Sequence, residues 1–220
     1  RAYYYFLAID LWGGVPYSVD KKETGYPEVK DRKFMFSFIE SEIKENLEYL
    51  TATPSAESYG RVTRDMANFL LAKLYLNAEV YIGKAMWKEA GDVCKQIMDS
   101  GHYSLTSTFK ENFQVHNESS TEAIFAIPYS NIYTPNSFYI YVLTLNPDSE
   151  AILGTSGATW NGTFMGQPDF MATYDANDTR KKDTWLYGDI YDSKGKRVQY
   201  QDGVDSNKKA RMPCCKYGYP

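Results

Sequence analysis

The chain has 220 residues, a formal net charge of −4 and three cysteines. This length is enough for a sizeable core in one or two domains. Hydrophobic and charged contents of 43% and 24% are typical of a globular protein. The negative charge gives no reason to expect a nucleic-acid partner, and three cysteines form neither a disulfide framework nor a zinc pattern. The 20 tyrosines are the unusual feature, and their amphipathic rings suit wet binding surfaces.

Both ends of the chain lie within continuing patterns. No run approaches the ~20 apolar residues of a membrane helix, and no signal peptide is present. Residue 1 already belongs to an apolar periodic stretch, so we expect an internal fragment of a longer protein. Cys94, Cys214 and Cys215 are expected to be free thiols, with a strained bond between the last two as the alternative.

The first 50 residues predict two helices separated by a loop rich in Pro, Gly and charge. The first helix ends at Gly13. Its apolar face is predicted to comprise Tyr4, Leu7, Ala8, Leu11 and Trp12. Asp31 can cap the second helix, where Lys44 and Glu48 can pair. The apolar face of this second helix is predicted to comprise Phe36, Ile39, Ile43, Leu47 and Leu50.

The stretch from residue 60 to residue 105 predicts a helical hairpin around which the rest is organised. Its first helix can begin at Thr63 and end at Gly83, and its second is closed by Gly101. The apolar stripe of the first helix is Ala67, Leu70, Leu71, Leu74, Ala78 and Tyr81. The stripe of the second is Trp87, Ala90, Cys94, Ile97 and Met98. Small residues facing large ones are typical of a TPR-like hairpin, which needs neighbours to bury its face.

After residue 105 the sequence predicts short strands and loops. The predicted elements are strands at 122–130 and 138–145, irregular loops at 146–166, a short helix at 168–174, and a hairpin of 184–191 with 196–201 around Gly195. We therefore predict a TPR-like helical scaffold over 1–108. An irregular, loop-rich subdomain with short strands, over 109–220, belongs to the same domain.

Catalytic and metal-binding signatures are scarce. The two histidines, His102 and His116, have no ligand spacing, and the glycines of 154–159 do not form a nucleophile elbow. Asp175 begins a calcium-like loop that lacks the required Gly and Glu. Two of the many aspartates of the second half are able to form a glycosidase pair, although solvated Asp is the usual case. We predict no catalytic residue, no metal site and no cofactor.

Aromatic residues among polar loop residues are the better candidates for function. The ring of an exposed Trp or Tyr can stack on the C–H face of a sugar while amides and hydroxyls bind its rim. The candidate ligand-binding residues are Trp160, Asn161, Tyr133, Tyr139 and Tyr141. The alternative is that Trp160 anchors its loop in the core.

Several motifs together resemble the SusD/RagB family of nutrient-binding outer-membrane lipoproteins. They are RAYYYFLAIDLWGGVPYSVD at the start, the hairpin GRVTRDMANFLLAKLYLNAEVY with WKEAGDVCKQIMDSGHYSL, the strand-like STEAIFAIPY, and DFMATYDANDTR. They occur in the family's order over nearly the whole chain. Gly14 stands where the family often has Asp, in a turn.

The resemblance implies a mainly α, SusD-like fold, with TPR-like hairpins and a loop-rich subdomain containing short strands. It also implies non-catalytic capture of oligosaccharides, or of peptides in some members, as the lid of a SusC-like TonB-dependent transporter. The expected location is the outer membrane, facing outside, through an N-terminal lipid anchor beyond this fragment. Family ligand contacts come from the loops that here include residues 133–160. The alternatives are a TPR-type scaffold or peptide-binding protein and a glycoside hydrolase.

Within the family-like DFMATYDANDTR element, Asp178 and Arg180 are interpreted as structural. Short charged residues end a helix there, and an arginine can clamp a carboxylate or a carbonyl.

Overall fold

A computed structural model of the chain describes residues 1–20, 22, 24–114, 116–129, 132–134, 165–185, 191, 194–196 and 212–213. The chain divides into two compact units. The first, here the helical unit, comprises Arg1–Ser104 and Ala123–Ile127; the second unit comprises Leu105–Glu122 and Pro128–Pro220.

The helical unit is built from paired helices. Its described helices are α1 (Ala2–Trp12), α2 (Arg32–Asn46), α3 (Arg64–Leu76), α4 (Ala78–Ile82) and α5 (Trp87–Asp99). Helix α1 packs against α2, and α3 packs against α5. Two short strands, β1 (Val15–Pro16) and β2 (Val29–Lys30), form an antiparallel pair within the segment predicted as a loop.

The described part of the second unit contains short elements. They are a 3-10 turn (Phe109–Phe113), strand β3 (Met165–Gly166), helix α6 (Pro168–Met171), helix α7 (Thr179–Thr184) and strand β4 (Met212–Pro213). Strands β3 and β4 pair antiparallel. The predicted fold class, mainly α with helical hairpins and short strands, is confirmed.

Predicted helix ends are confirmed in atomic detail. The carboxylate of Asp31 accepts a hydrogen bond from the backbone N–H of Phe34 at 2.8 Å, and the hydroxyl of Thr63 accepts one from Met66 N at 3.3 Å. Each satisfies an N–H that lacks a partner in the first turn of its helix. Gly83 ends α4 in the left-handed conformation, with φ of +70°, which costs glycine little.

The core of the helical unit lies between α2, α3 and α4, with contributions from α1 and α5. It is made of apolar side chains almost fully removed from water, including Ile9, Met35, Phe36, Ile39, Ile43, Leu70, Leu71, Leu74, Ala78, Tyr81 and Ala90. The predicted faces of α2 and α3 therefore point inward, with Leu47 and Leu50 packed at the margin of this core.

The predicted face of α1 is wrong in part, although Leu7 and Ala8 do pack against the core. Phe6 and Ile9 are the buried residues of this helix, whereas Tyr4, Leu11 and Trp12 are exposed. The helix is apolar on nearly all sides, so periodicity does not distinguish its inner face. Packing against α2 makes that choice.

The predicted stripe of α5 is wrong in part. Ala90 and Ile97 are buried and Val93 packs against the core. Cys94 and Met98 are exposed, and Trp87 exposes 63% of its surface. The inner face is rotated by about one residue, because α5 is covered chiefly on the side that faces α3.

Two further details of the helical unit differ from prediction. The first hairpin helix breaks at Asn77, whose side chain donates to the backbone oxygen of Lys73; such local bonds compete with the helical ladder. Lys44 pairs with Glu40 at 2.6 Å instead of Glu48. The glutamate four residues before a lysine is the favoured arrangement, and Glu48 lies beyond the end of α2.

Predictions for the second half have mixed outcomes. Residues 122–129 form no strand in the described structure. The short helix is confirmed but ends at Met171, and residue 184, predicted to begin a strand, ends helix α7. Gly195 has the expected positive φ, +75°. The predicted strand 138–145, most of the loops at 146–166, most of the hairpin, Cys214 and Cys215 lie outside the described residues.

Candidate ligand-binding site

Of the five predicted ligand-binding residues, the structure describes Tyr133. It lies in a turn over residues 132–134 and is 87% exposed. Its side chain is therefore accessible to a ligand. Tyr139, Tyr141, Trp160 and Asn161 lie outside the described residues, so this site stays a prediction.

The second unit contains a cavity of about 390 Å³, built from described residues. This volume falls at the small end of the range, about 300–1,000 Å³, found for small-molecule sites. Its described walls come from the 3-10 turn, from α6 and the turn after it, and from α7. The described lining residues are Phe109, Phe170, Thr173, Tyr174, Asp178, Arg180 and Thr184. We call this the α6–α7 cavity.

Three aromatic rings in mutual contact lie at one side of the α6–α7 cavity. Phe170 and Tyr174 line the cavity, and Trp185 packs against Phe170. The ring of Phe170 meets those of Tyr174 and Trp185 edge to face, with centroids 5.7 and 6.1 Å apart. The indole N–H of Trp185 donates to the hydroxyl of Tyr174 at 3.1 Å. Edge-to-face pairs of this kind add stability beyond the area they bury, so the rings hold one another in place.

Strand β3 allows this aromatic group to approach closely. A Cβ atom on Gly166 would lie 3.0 and 3.1 Å from two ring carbons of Trp185 and 3.2 Å from the sulfur of Met171. Met171 is itself fully buried. A side chain at this position would therefore push the indole away from β3, and the glycine is needed for the observed packing.

A carboxylate–guanidinium pair lies at the polar side of the cavity. Asp178 accepts from Nε of Arg180 at 2.9 and 3.0 Å and from its Nη2 atom, and also accepts from Arg180 N at the start of α7. The guanidinium lowers the pKa of the Asp178 carboxyl. The two charges thus neutralise each other. The pair lies at the start of α7 and not at the end of a helix, and its structural role stays a prediction.

The helical unit contains an aspartate–histidine pair that resembles part of a catalytic site. Nδ1 of His102 lies 2.7 Å from Oδ2 of the buried Asp65. The adjacent hydroxyl of Ser100 donates instead to the backbone oxygen of Ile97 at 2.7 Å. The pair links the first turn of α3 to the segment after α5. This position indicates a structural role.

The described residues contain neither a metal-binding cluster nor a membrane-spanning helix. No group of three or more histidines, cysteines or acidic residues is arranged to hold a metal ion. None of the helices in this part of the chain combines the length and apolar content needed to cross a membrane.

No model of a protein family matches the chain. In sequence it is similar to the starch-binding protein SusD of Bacteroides thetaiotaomicron, with 30% identity over 125 residues. The aligned part is 56% of this chain and 22% of SusD.

Comparison with solved structures identifies the fold. The fold is similar to that of a SusD superfamily protein from Bacteroides fragilis, with a TM-score of 0.67 and 21% identity. The match covers 97% of this chain and 49% of the Bacteroides fragilis protein. Surface glycan-binding protein A of Bacteroides thetaiotaomicron, solved with laminarihexaose, matches 84% of this chain and 40% of its own length, with a TM-score of 0.64 and 22% identity.

The chain is therefore a protein with a SusD-like fold. Its predicted resemblance to the SusD family is confirmed by both the sequence and the structural comparisons. The chain spans less than half the length of each of these three proteins.

Proposed function

We propose that this protein captures glycans without catalysing their cleavage, as a surface component of a nutrient import complex. The observation that carries the proposal is that two kinds of similarity agree. The sequence is similar to that of a starch-binding protein, and the fold is that of a protein solved with a bound oligosaccharide.

The predicted aromatic residues supply suitable chemistry. Trp160 has small or polar neighbours in the sequence, and Asn161 adds an amide donor and acceptor beside the ring. Together with Tyr133, Tyr139 and Tyr141, these residues form the proposed ligand-binding site. The partner is a SusC-like TonB-dependent transporter, and the location is the outer membrane, facing outside, through a lipid anchor on a preceding segment.

The test is retention of the full protein by glycans in an affinity gel, with laminarihexaose and maltohexaose affinities measured by calorimetry. Removing one aromatic platform is expected to cost about 1–3 kcal/mol, by analogy with bases stacked on aromatic side chains. This corresponds to roughly a 5- to 150-fold loss of affinity. Trp160→Ala should therefore lose retention while its melting temperature stays within a few degrees of wild type.

Trp87→Ala is the matched control. Trp87 is an exposed tryptophan of the helical unit, so its removal should change neither glycan affinity nor stability much. Unfolding of Trp160→Ala would show that this ring anchors its loop. Release of reducing ends by the wild-type protein would show a glycoside hydrolase, and wild-type binding of peptides without any glycan affinity would show a peptide-binding scaffold.

A further inference from the structure

We propose that the α6–α7 cavity is a second carbohydrate subsite, specific for a neutral sugar unit. The inference rests on the proposed glycan-binding function. Its described lining comes from the 3-10 turn, the α6 region and α7. That lining does not include Tyr133, the predicted ligand-binding residue that the structure describes.

The exposed ring of Phe170 is the first part of the argument. Phe170 remains 51% exposed although its neighbours Tyr174 and Trp185 meet it edge to face. Both neighbours fix the orientation of the ring, so little rotamer freedom is lost when a ligand binds. A rigid, half-exposed aromatic surface at a cavity suits the apolar C–H face of a sugar.

The second part is the set of hydroxyl groups beside that ring. The hydroxyl of Tyr174 already accepts from Trp185, so its own proton is directed elsewhere. The hydroxyl of Thr173 donates to the backbone oxygen of Phe170 at 2.7 Å, which leaves its lone pairs as acceptors. The lining thus offers one hydroxyl donor and one hydroxyl acceptor, which together can bind hydroxyls on the rim of a sugar.

The third part is the charge balance. Arg180 holds Asp178 through two side-chain nitrogens, and such bidentate pairs are strong. An anionic ligand would have to compete with this carboxylate for the guanidinium. A neutral ligand keeps the pair intact and can still bind its outer edge. The cavity therefore favours a neutral sugar over a uronic acid or a phosphate.

The experiment measures binding of maltohexaose, laminarihexaose and an oligogalacturonate to the full protein by calorimetry. It compares wild type with five variants, of which Trp160→Ala and Arg180→Gln serve the outcomes given below. Phe170→Ala removes the ring, Phe170→Leu keeps apolar bulk without an aromatic face, and Tyr49→Ala removes an exposed tyrosine of the helical unit as the control. Melting temperatures are recorded for each variant. We expect Phe170→Ala and Phe170→Leu to weaken binding of a neutral hexasaccharide by about 5-fold or more, with the control unchanged.

The outcomes separate this inference from the proposed function. One outcome is that Phe170→Leu binds the neutral glycan as tightly as wild type does, while Trp160→Ala binds it more weakly. In that case glycan capture holds and the cavity is not a subsite. If wild type binds no glycan, both proposals fail. Preference for the oligogalacturonate, abolished in Arg180→Gln, would overturn the assignment of a neutral ligand. Phe170→Leu protects the test against a folding defect, because it keeps an apolar side chain at this position.

Discussion

The helical unit and the second unit are stabilised in different ways. In the helical unit, apolar side chains of five helices meet in one core, and several are entirely removed from water. In the described part of the second unit, Met171 is the one large side chain buried to that degree. There the contacts are aromatic edges, ion pairs and hydrogen bonds between short segments.

A network of polar contacts in the described part of the second unit surrounds Glu122. One of its carboxylate oxygens accepts from the side chains of Asn112 and Thr106 at 2.8 and 2.9 Å, and from Thr106 N at 3.2 Å. The hydroxyl of Ser120 donates to Asn112 at 2.6 Å. A charged acceptor that satisfies several donors orders its loop without burying apolar area. This difference predicts that the two units respond differently to substitution and to pH.

The largest expected effect is in the core of the helical unit. Leu74→Ala removes a fully buried side chain of α3 and should lower the free energy of unfolding by about 2–5 kcal/mol, since it leaves a cavity. Denaturant unfolding measures this. Leu76→Ala, an exposed leucine at the end of the same helix, should cost well below half as much; equal losses would show that the core is placed wrongly.

A smaller effect is expected from overpacking. Ala78 is fully buried at the start of α4, so Ala78→Leu should destabilise the protein by about 1–3 kcal/mol because the added carbons have no space. The comparison is Ala85→Leu, at an exposed position after Gly83, measured by the same unfolding curves. No difference between the two variants would mean that the helices approach less closely at Ala78 than the structure shows.

The smallest effect is the pH dependence of the second unit. Hydrogen bonds from Asn112 and Thr106 lower the pKa of Glu122. A carboxyl whose folded-state pKa is depressed stabilises the protein above its unfolded-state pKa, and this contribution is lost as the pH falls through the folded-state value. Glu122→Gln should therefore reduce the melting temperature at neutral pH, with the difference from wild type vanishing in acid.

The control variant for this measurement is Glu89→Gln. Glu89 is exposed and lies in the first turn of α5. Its difference from wild type should be small at all pH values. A Glu122→Gln difference that persists unchanged into acid would show that the amide, rather than the lost charge, disturbs the loop.

Local chemistry determined much of the helical unit from the sequence alone. Asp31 and Thr63 accept from backbone N–H groups within three residues, and Gly83 ends its helix through its own φ. Such features need no distant partner, which is why they are predictable. The inner face of α2 was predictable because its exposed positions are mostly polar. That of α3 was predictable from its apolar spacing, although Phe69 and Leu76 remain exposed.

Tertiary structure decided which faces of α1 and α5 are buried and which residues line the α6–α7 cavity. Helix α1 is apolar around most of its circumference, so tertiary packing and not periodicity distinguishes the buried Phe6 from the exposed Tyr4. Phe109 reaches the cavity from a turn about 60 residues before Phe170, and no spacing in the sequence encodes that approach. The spacing of Phe170 and Tyr174, four residues apart, is a local feature of the sequence. The cavity beside the Phe170 ring exists only once α6, α7 and the 3-10 turn have packed together.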